Sequence, residues 1–168
     1  MRAPEIINTA NVARTRPASW TGPSVSPNIS QAISDSAADA VFRAIEVARA
    51  AGTKVSYDTN LRLKLWPIAR ARAVIHAAME GCDIALPGRD DAVQLTGTDD
   101  PDAIADFYLG LGAGVVALTL GEDGAIVATP DRREHLPAVA VKHVDATGAG
   151  DMFDGAFLAE YLRTDDPF

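Results

Sequence analysis

The sequence predicts an α/β fold of three layers, in which helices cover both faces of a largely parallel sheet. The first observation is that apolar, strand-like runs alternate with helical patterns from about residue 34 onwards. The second is the run "VVALTL" at 115–120, which is unbroken, as expected of a strand buried on both faces. The third is composition: a chain that is 48% hydrophobic but only 6% aromatic has the balance of a helix-rich globular protein.

The first thirty residues differ from the rest of the chain. They contain four prolines and many Ser, Thr and Asn residues without a sustained period, so we predict a mostly irregular segment at 1–30. Residues 31–168 are predicted to form one α/β unit. In this unit a capping box of Ser36 and Asp39 begins a helix that Gly52 ends, and "KVSYD" follows as a strand.

The later elements continue the alternation. Pro67 stands at an allowed first-turn position of a helix, and Asp100 with Pro101 begins another. The pattern then predicts, in order, helix 67–80, strand 82–86, helix 100–111, strand 115–120, turn 121–124, strand 125–129, strand 138–144 and a last helix from residue 150.

The net charge and the single cysteine exclude several classes of function. A formal charge of −8 repels nucleic-acid phosphates, so DNA and RNA are not expected partners. Cys82 has no partner for an internal disulfide, which indicates a reducing, cytoplasmic compartment. No run approaches eighteen apolar residues, and the N-terminus lacks the layout of a signal peptide, so no membrane partner is expected either.

Glycine and charged residues follow four successive predicted strands. Because ligands in such folds gather beyond the carboxyl ends of the strands, one shared cleft is the simplest account. The four segments are "DTNLR" at 58–62, "PGRDD" at 87–91, "GEDG" at 121–124 and "DATGAGD" at 145–151.

The segment 145–151 carries the clearest chemistry. If it opens the last helix, the backbone N–H groups of residues 148–151 point out of the first turn and form an anion site that small side chains leave accessible. Asp151 beside a bound phosphate would repel it, so we interpret this carboxylate as a base that takes a proton from an attacking hydroxyl. The alternative is structural, with Asp145 or Thr147 capping the helix and the glycines turning the chain. The spacing fits neither the dinucleotide motif nor the P-loop.

These residues resemble a known family. "DATGAGD" followed by "MFDGAF" is similar to the C-terminal signature of the ribokinase-like (PfkB) carbohydrate kinases. The blocks "ISQAIS", "SYDTNLRLKLW", "LPGRDDAVQLTG" and "LTLGEDGAIVA" agree with that family in order and spacing, over about residues 29–168. Among its members, "DTNLRLKLW" most resembles the 2-keto-3-deoxygluconate kinases. The resemblance implies an ATP-dependent phosphorylation of a small sugar or sugar acid.

The resemblance also implies roles for individual residues. Asp151 matches the catalytic base, and the anion hole for the transferring phosphoryl group matches Gly148, Ala149 and Gly150. A position near a bound monovalent cation matches Asp145. The nucleotide-binding strand and turn match Thr119, Gly121 and Gly124.

Substrate and metal are implied by two further segments. Arg62, with Asn60 before it, matches the arginine that reaches a sugar-acid carboxylate or phosphate, for which a bidentate guanidinium is suited. The alternative for Arg62 is a solvated charge at the start of a helix. Where the family often has Asn-x-x-Glu, this chain has Gly88 to Asp91. Asp91 can still hold a hydrated Mg²⁺ through water, although the asparagine amide is missing.

Parts of the family pattern are missing from this sequence. The Gly-Gly sugar-binding motif, the small β-lid and the helix that completes the adenine pocket do not appear, so the resemblance implies an incomplete, ribokinase-like fold. The open sheet edge and apolar faces would then favour association into homo-oligomers. Two functions stay open: a kinase acting on a sugar or sugar acid, and an inactive remnant that at most binds nucleotide.

Overall fold

A sheet of six strands organises the protein. The computed structural model describes residues 6–8, 29–141 and 145–168. The strands lie side by side in chain order: β1 (Ile6–Asn8), β2 (Lys54–Asp58), β3 (Ile84–Leu86), β4 (Val115–Thr119), β5 (Ala125–Ala128) and β6 (Arg133–Leu136). The first four strands run parallel to one another, whereas β5 and β6 are antiparallel to their neighbours. The predicted, largely parallel sheet is confirmed.

Six helices of the described residues pack around this sheet. They are α1 (Ile29–Ile33), α2 (Asp35–Ala50), α3 (Ile68–Met79), α4 (Arg89–Thr96), α5 (Pro101–Gly110) and α6 (Ala149–Thr164). A single 3₁₀ turn, Gly121–Asp123, joins β4 to β5. In the residues described, no helix combines the length and the apolar character that a membrane crossing requires.

The two faces of the sheet bury two separate apolar clusters, which gives the three predicted layers. Alternate residues of β4 point to opposite faces, as the pleat of a strand requires. Val116 and Leu118 join the larger cluster with α2, α3, α4 and α5, while Val115 and Ala117 join the smaller cluster with Leu158 of α6. The sheet is therefore buried on both sides, which explains the unbroken apolar run of β4.

Helix α6 is fastened to the sheet at its carboxyl end. Tyr161 is buried, and its hydroxyl accepts a hydrogen bond of 2.5 Å from the Lys54 ammonium group at the start of β2. Phe157 stacks on the Tyr161 ring with 6.3 Å between centroids. These contacts fix the axis of α6, so that its first turn faces the carboxyl ends of the strands.

The N-cap of the first long helix lies two residues before the predicted N-cap. Ser34, not Ser36, is the N-cap, because its backbone is extended and its side chain accepts a hydrogen bond of 3.1 Å from the Ala37 N–H. Ser36 lies inside the first turn instead. Both positions carry serine, so the sequence pattern alone did not separate them.

One prediction about a strand needs correction, and another is tested only in part. Of the segment 1–30, predicted to be mostly irregular, residues 6–8 form β1 and Ile29 begins α1; residues 1–5 and 9–28 lie outside the described residues. The strand predicted at 138–144 is wrong for 138–141, which form no strand, and 142–144 lie outside the described residues. The strand there is β6, because hairpin pairing with β5 sets its position from Ala125 opposite Leu136.

Helix α4 was not predicted. It has eight residues, of which Arg89, Asp90 and Asp91 are charged, so its apolar period is reduced to a few positions. Ala92 and Leu95 are buried against the larger cluster and hold the helix in place. The helix matters for function because it carries Asp91 to the end of the sheet.

Candidate functional site

Two adjoining cavities lie beyond the carboxyl ends of the parallel strands. The first has a volume of about 200 Å³ and the second about 590 Å³. Gly88, Asp91 and Thr119 line both cavities, so the cavities meet at these residues. The first is lined in addition by Asp58, Asn60, Arg62, Leu86, Gly148, Gly150, Asp151 and Asp154. The cleft predicted from the strand ends is present, and it brings together residues that are up to 96 positions apart (Asp58 and Asp154).

The loop after β2 is held in an unusual conformation by two carboxylates. Asn60 has a positive φ of 28°, and its N–H donates to Asp58 Oδ1 at 2.9 Å. The next N–H, that of Leu61, donates to Asp91 Oδ2 at 2.6 Å. Asp91 thus ties the loop to α4, and the side chains of Asn60 and Arg62 are presented to the first cavity.

Arg62 is an exposed side chain at the mouth of this cavity. One of its Nη atoms donates to the Leu61 carbonyl oxygen at 3.2 Å. Its positive charge acts to lower the pKa of both Asp58 and Asp91, although burial of each carboxyl outweighs it and raises both pKa values. A guanidinium in this position has donors left for a planar anion.

Segment 145–151 opens α6 as predicted. Gly148 is the N-cap with φ 78°, a left-handed conformation that favours glycine. A Cβ atom added at Gly148 or Gly150 would meet no atom within 4 Å, so a ligand can approach the backbone there. The Ala149 N–H already donates to the Ala146 carbonyl at 3.0 Å, and Ala149 lines neither cavity. Asp151, in the first turn, is exposed and lines the first cavity.

Two carboxyl groups of this cavity were not singled out from the sequence: Asp154, which is buried, and Asp58, which is half-buried and was named only as part of the segment 58–62. Asp154 is only 4% exposed, and burial first, then the charges of Asp58 and Asp151, raise its pKa to about 8. Burial likewise raises the pKa of Asp58 to about 7, against the opposing hydrogen bond from the Asn60 N–H. The signal for Asp154 was its position three residues after Asp151, which puts both on one face of a helix.

The predicted nucleotide-binding residues separate into two groups. Thr119 and Gly121 line the second cavity with the residues of the 3₁₀ turn. Gly124 and Asp145 line neither cavity. Asp145 is fully exposed, and the Thr147 N–H, which donates to its Oδ1 at 2.8 Å, lowers its pKa. This contact closes a turn ahead of α6, but the N-cap of α6 is Gly148 without a side-chain bond, so Asp145 does not cap the helix as its alternative interpretation had it.

Gly124 is required by its surroundings. Its φ is 101°, and a Cβ atom would come within 1.9 Å of the Leu136 carbonyl oxygen and 2.7 Å of the Ala138 nitrogen. We predict that Gly124→Ala lowers the free energy of unfolding by about 2–3 kcal/mol, because backbone of β6 must move. Urea denaturation measures this. Gly110→Ala, where a Cβ meets nothing within 4 Å, is the matched control and is expected to change little.

The described residues contain no group of three or more side chains that could hold a metal ion. Asp91, the predicted Mg²⁺ residue, has its Oδ2 engaged by the Leu61 N–H. This arrangement fits Mg²⁺ only in the form that nucleotide-dependent enzymes often use, in which the ion keeps water and is held by one carboxylate and substrate phosphates.

Comparison with known proteins identifies the family of the chain. The pattern of the pfkB family of carbohydrate kinases matches residues 25–167. The 2-dehydro-3-deoxygluconokinases of Thermoproteus tenax and Bacillus subtilis are 36% and 35% identical over 84% and 74% of the chain. A fructokinase from Vibrio cholerae, crystallised with fructose, ADP and calcium, superposes with a TM-score of 0.74 and 31% identity over 82% of the chain. The chain spans only 43%, 39% and 45% of these proteins, respectively.

Proposed function

Because this chain belongs to the pfkB family of carbohydrate kinases, we propose that the protein transfers the γ-phosphoryl group of ATP to a hydroxyl group of a small sugar acid. The observation that carries the proposal is the joint presence of Asp151 and Arg62 in the lining of one cavity. The first is a carboxylate at a helix N-terminus and the second a guanidinium at the cavity mouth. Together they provide a base and an anchor for an anionic acceptor.

The proposed chemistry uses the chain's own groups as follows. Asp151 accepts the proton of the substrate hydroxyl. At the same time the hydroxyl oxygen forms a bond to the γ-phosphorus, and the bond from that phosphorus to ADP breaks. The backbone at Gly148 and Gly150, where no side chain limits approach, stabilises the charge on the transferring phosphoryl oxygens. The nucleotide occupies the second cavity, against Thr119 and Gly121. Asp91, together with substrate phosphates, would hold magnesium, which would supply neutralising charge.

The substrate class rests on the charge of the first cavity. Arg62 is its only basic lining residue among those described, and it suits a carboxylate because its two N–H groups match two oxygens. Asn60 adds an amide for a hydroxyl group. The raised pKa values of Asp58 and Asp154 leave both groups substantially protonated near neutral pH, which reduces repulsion of an anion. The names of two relatives, 2-dehydro-3-deoxygluconokinase, favour a 2-keto-3-deoxy sugar acid.

The role of Asp145 beside a monovalent cation remains part of the proposal only through the family resemblance. It lines neither cavity, and its described contacts are within its own turn. Exchange of K⁺ for a tetraalkylammonium ion during the assay would test it.

A second candidate function is nucleotide binding without turnover. The observation that favours it is that Thr119 and Gly121 line the larger, second cavity, whereas Asp151 and Arg62 do not line it. Incubation with ATP, Mg²⁺ and 2-keto-3-deoxygluconate, followed by mass spectrometry of the product, distinguishes the two. A phosphorylated sugar acid supports the kinase, whereas bound ATP without product supports the second candidate.

The substrate class can be tested at Arg62. We predict that Arg62→Lys, which keeps the charge but loses the two-pronged contact, raises KM for the sugar acid about tenfold and leaves KM for ATP nearly unchanged. Arg43→Lys, on the exposed face of α2, is the matched control. If fructose or ribose proves a better substrate than the sugar acid, the assignment of an acidic substrate is wrong while the kinase assignment stands.

A further inference from the structure

The second cavity is strongly acidic for a site that is to take a nucleotide. Among the described residues of its lining, four are acidic and one is basic. The acidic residues are Asp90, Asp91, Glu122 and Asp123, and the basic residue is Arg89. A phosphate chain that enters this cavity is repelled by the carboxylates. Among the described lining residues, Arg89 alone carries a positive side-chain charge that can offset this repulsion.

Arg89 is held at the edge of the cavity by an ion pair. It is the first residue of α4, and its Nη1 donates to Asp123 Oδ2 at 3.1 Å, on the 3₁₀ turn after β4. The Arg89 side chain is 36% exposed and that of Asp123 66%, so the pair lies open to water. The pair therefore connects the two walls of the cavity, α4 on one side and the turn on the other.

We propose that Arg89 is a phosphate-binding residue of the nucleotide site and that it exchanges Asp123 for the phosphate chain when the nucleotide binds. The inference rests on the proposed function, since it assigns a ligand-binding role within the same site. It adds a charged side chain to the proposed phosphate contacts, which otherwise come from the backbone at the helix N-terminus and the glycine turns. Asp123 serves in the free protein as a stand-in for phosphate.

Three physical arguments support the exchange. Exposed ion pairs contribute little to stability, so leaving Asp123 costs little. A guanidinium binds phosphate oxygens through two parallel hydrogen bonds, and a phosphate chain offers it more negative charge than a single carboxylate does. Finally, a cation is disfavoured at the positive N-terminus of a helix, so Arg89 is held at the start of α4 against the helix dipole and gains from a nearby anion.

The exchange predicts opposite effects for the two partners of the pair. Titration of the 168-residue chain with ATP, ADP, AMP and adenosine, at fixed salt, measures them. Arg89→Ala is expected to weaken ATP and ADP binding about tenfold or more while leaving adenosine unchanged. Asp123→Asn is expected to tighten ATP binding two- to fivefold, because it removes both a competitor for Arg89 and a like charge. Arg43→Ala, which breaks the exposed pair with Glu46, is the matched control.

Each outcome is decisive. If Asp123→Asn weakens ATP binding as Arg89→Ala does, the pair serves only to fix the turn and the inference is overturned. Unchanged ATP affinity in Arg89→Ala overturns it as well, while the proposed function stands. If the wild-type chain binds no nucleotide, the proposed function fails and this inference with it. Thermal unfolding of each variant shows whether the fold is intact, and Arg89→Lys, expected to restore ATP affinity in part, guards against a folding defect in the alanine variant.

Discussion

Replacing Asp151 by asparagine is expected to lower the rate of sugar-acid phosphorylation by roughly 10²–10⁴-fold, the usual contribution of a positioned general base. The variant keeps the size of the side chain, and the N-cap of α6 is Gly148 with no side-chain capping bond, so its stability should change little. Asp151 does not line the second cavity, in which the nucleotide is proposed to bind, so ATP binding measured by titration should also persist. A loss confined to turnover is the signature of a group that acts in the transition state.

The matched control is Asp99→Asn, an exposed aspartate between α4 and α5 that lines neither cavity. It should retain the wild-type rate. The assay requires a form of the protein that phosphorylates a sugar acid, and product should be quantified directly, since ATP hydrolysis alone does not report transfer. An Asp151→Asn variant that keeps more than about a third of the wild-type rate would exclude this carboxylate as the base.

Those parts of the fold that depend on local pattern could be predicted from the sequence. The apolar run of β4 and the glycine-rich opening of α6 were placed to within a residue or two, because a doubly buried strand and a helix N-terminus each have a strong local signature. Strand β6 was misplaced because its register depends on pairing with β5. Its own residues, "REHL", carry little apolar signal, while the apolar residues that follow them are exposed.

The candidate site shows the same division. Asp151, Gly148, Arg62 and Asn60 were identified because each belongs to a short motif, and the structure places all four in one cavity. Gly124 was assigned to the nucleotide from its motif, but the reason for a glycine there is the approach of the β6 backbone, which no local pattern contains. Asp154 was overlooked because its spacing from Asp151 alone does not predict a functional role. That role becomes apparent only when its burial and its neighbours are known.

Asp58 and Asp154 together set the electrostatic state of the first cavity. They come from different elements, β2 and α6; burial is the largest cause of the raised pKa of each, and the charge of Asp58 raises the pKa of Asp154 further. Asp151 adds to the repulsion on both, whereas Arg62 partly offsets it at Asp58. The folded protein therefore binds protons more tightly at these sites than the unfolded chain does.

Stability is consequently expected to fall as pH rises from about 4 to about 8. A carboxyl group whose folded pKa lies above its ordinary value stabilises the fold below that ordinary value, and this contribution is lost as pH rises through the folded pKa. For Asp154, with a pKa raised from 3.8 to about 8, the loss is at most ~6 kcal/mol. We predict that Asp154→Asn, which is neutral at every pH, removes the contribution of Asp154 to this slope, leaves that of Asp58, and makes the variant more stable than the wild type at pH 8.

Urea denaturation at pH 4.5, 6 and 8 measures that slope, with Asp39→Asn on the exposed face of α2 as the matched control. The same ionisation adds negative charge to the cavity, so the wild-type KM for a sugar acid should rise between pH 7 and 9. Asp154→Asn should show a smaller rise, because one of the two ionising groups is gone. If the stability of Asp154→Asn changes with pH as steeply as that of the wild type, Asp154 is not the buried carboxyl group that loses its proton in this pH range. In that case the weakened anion binding would have to come from Asp58 alone.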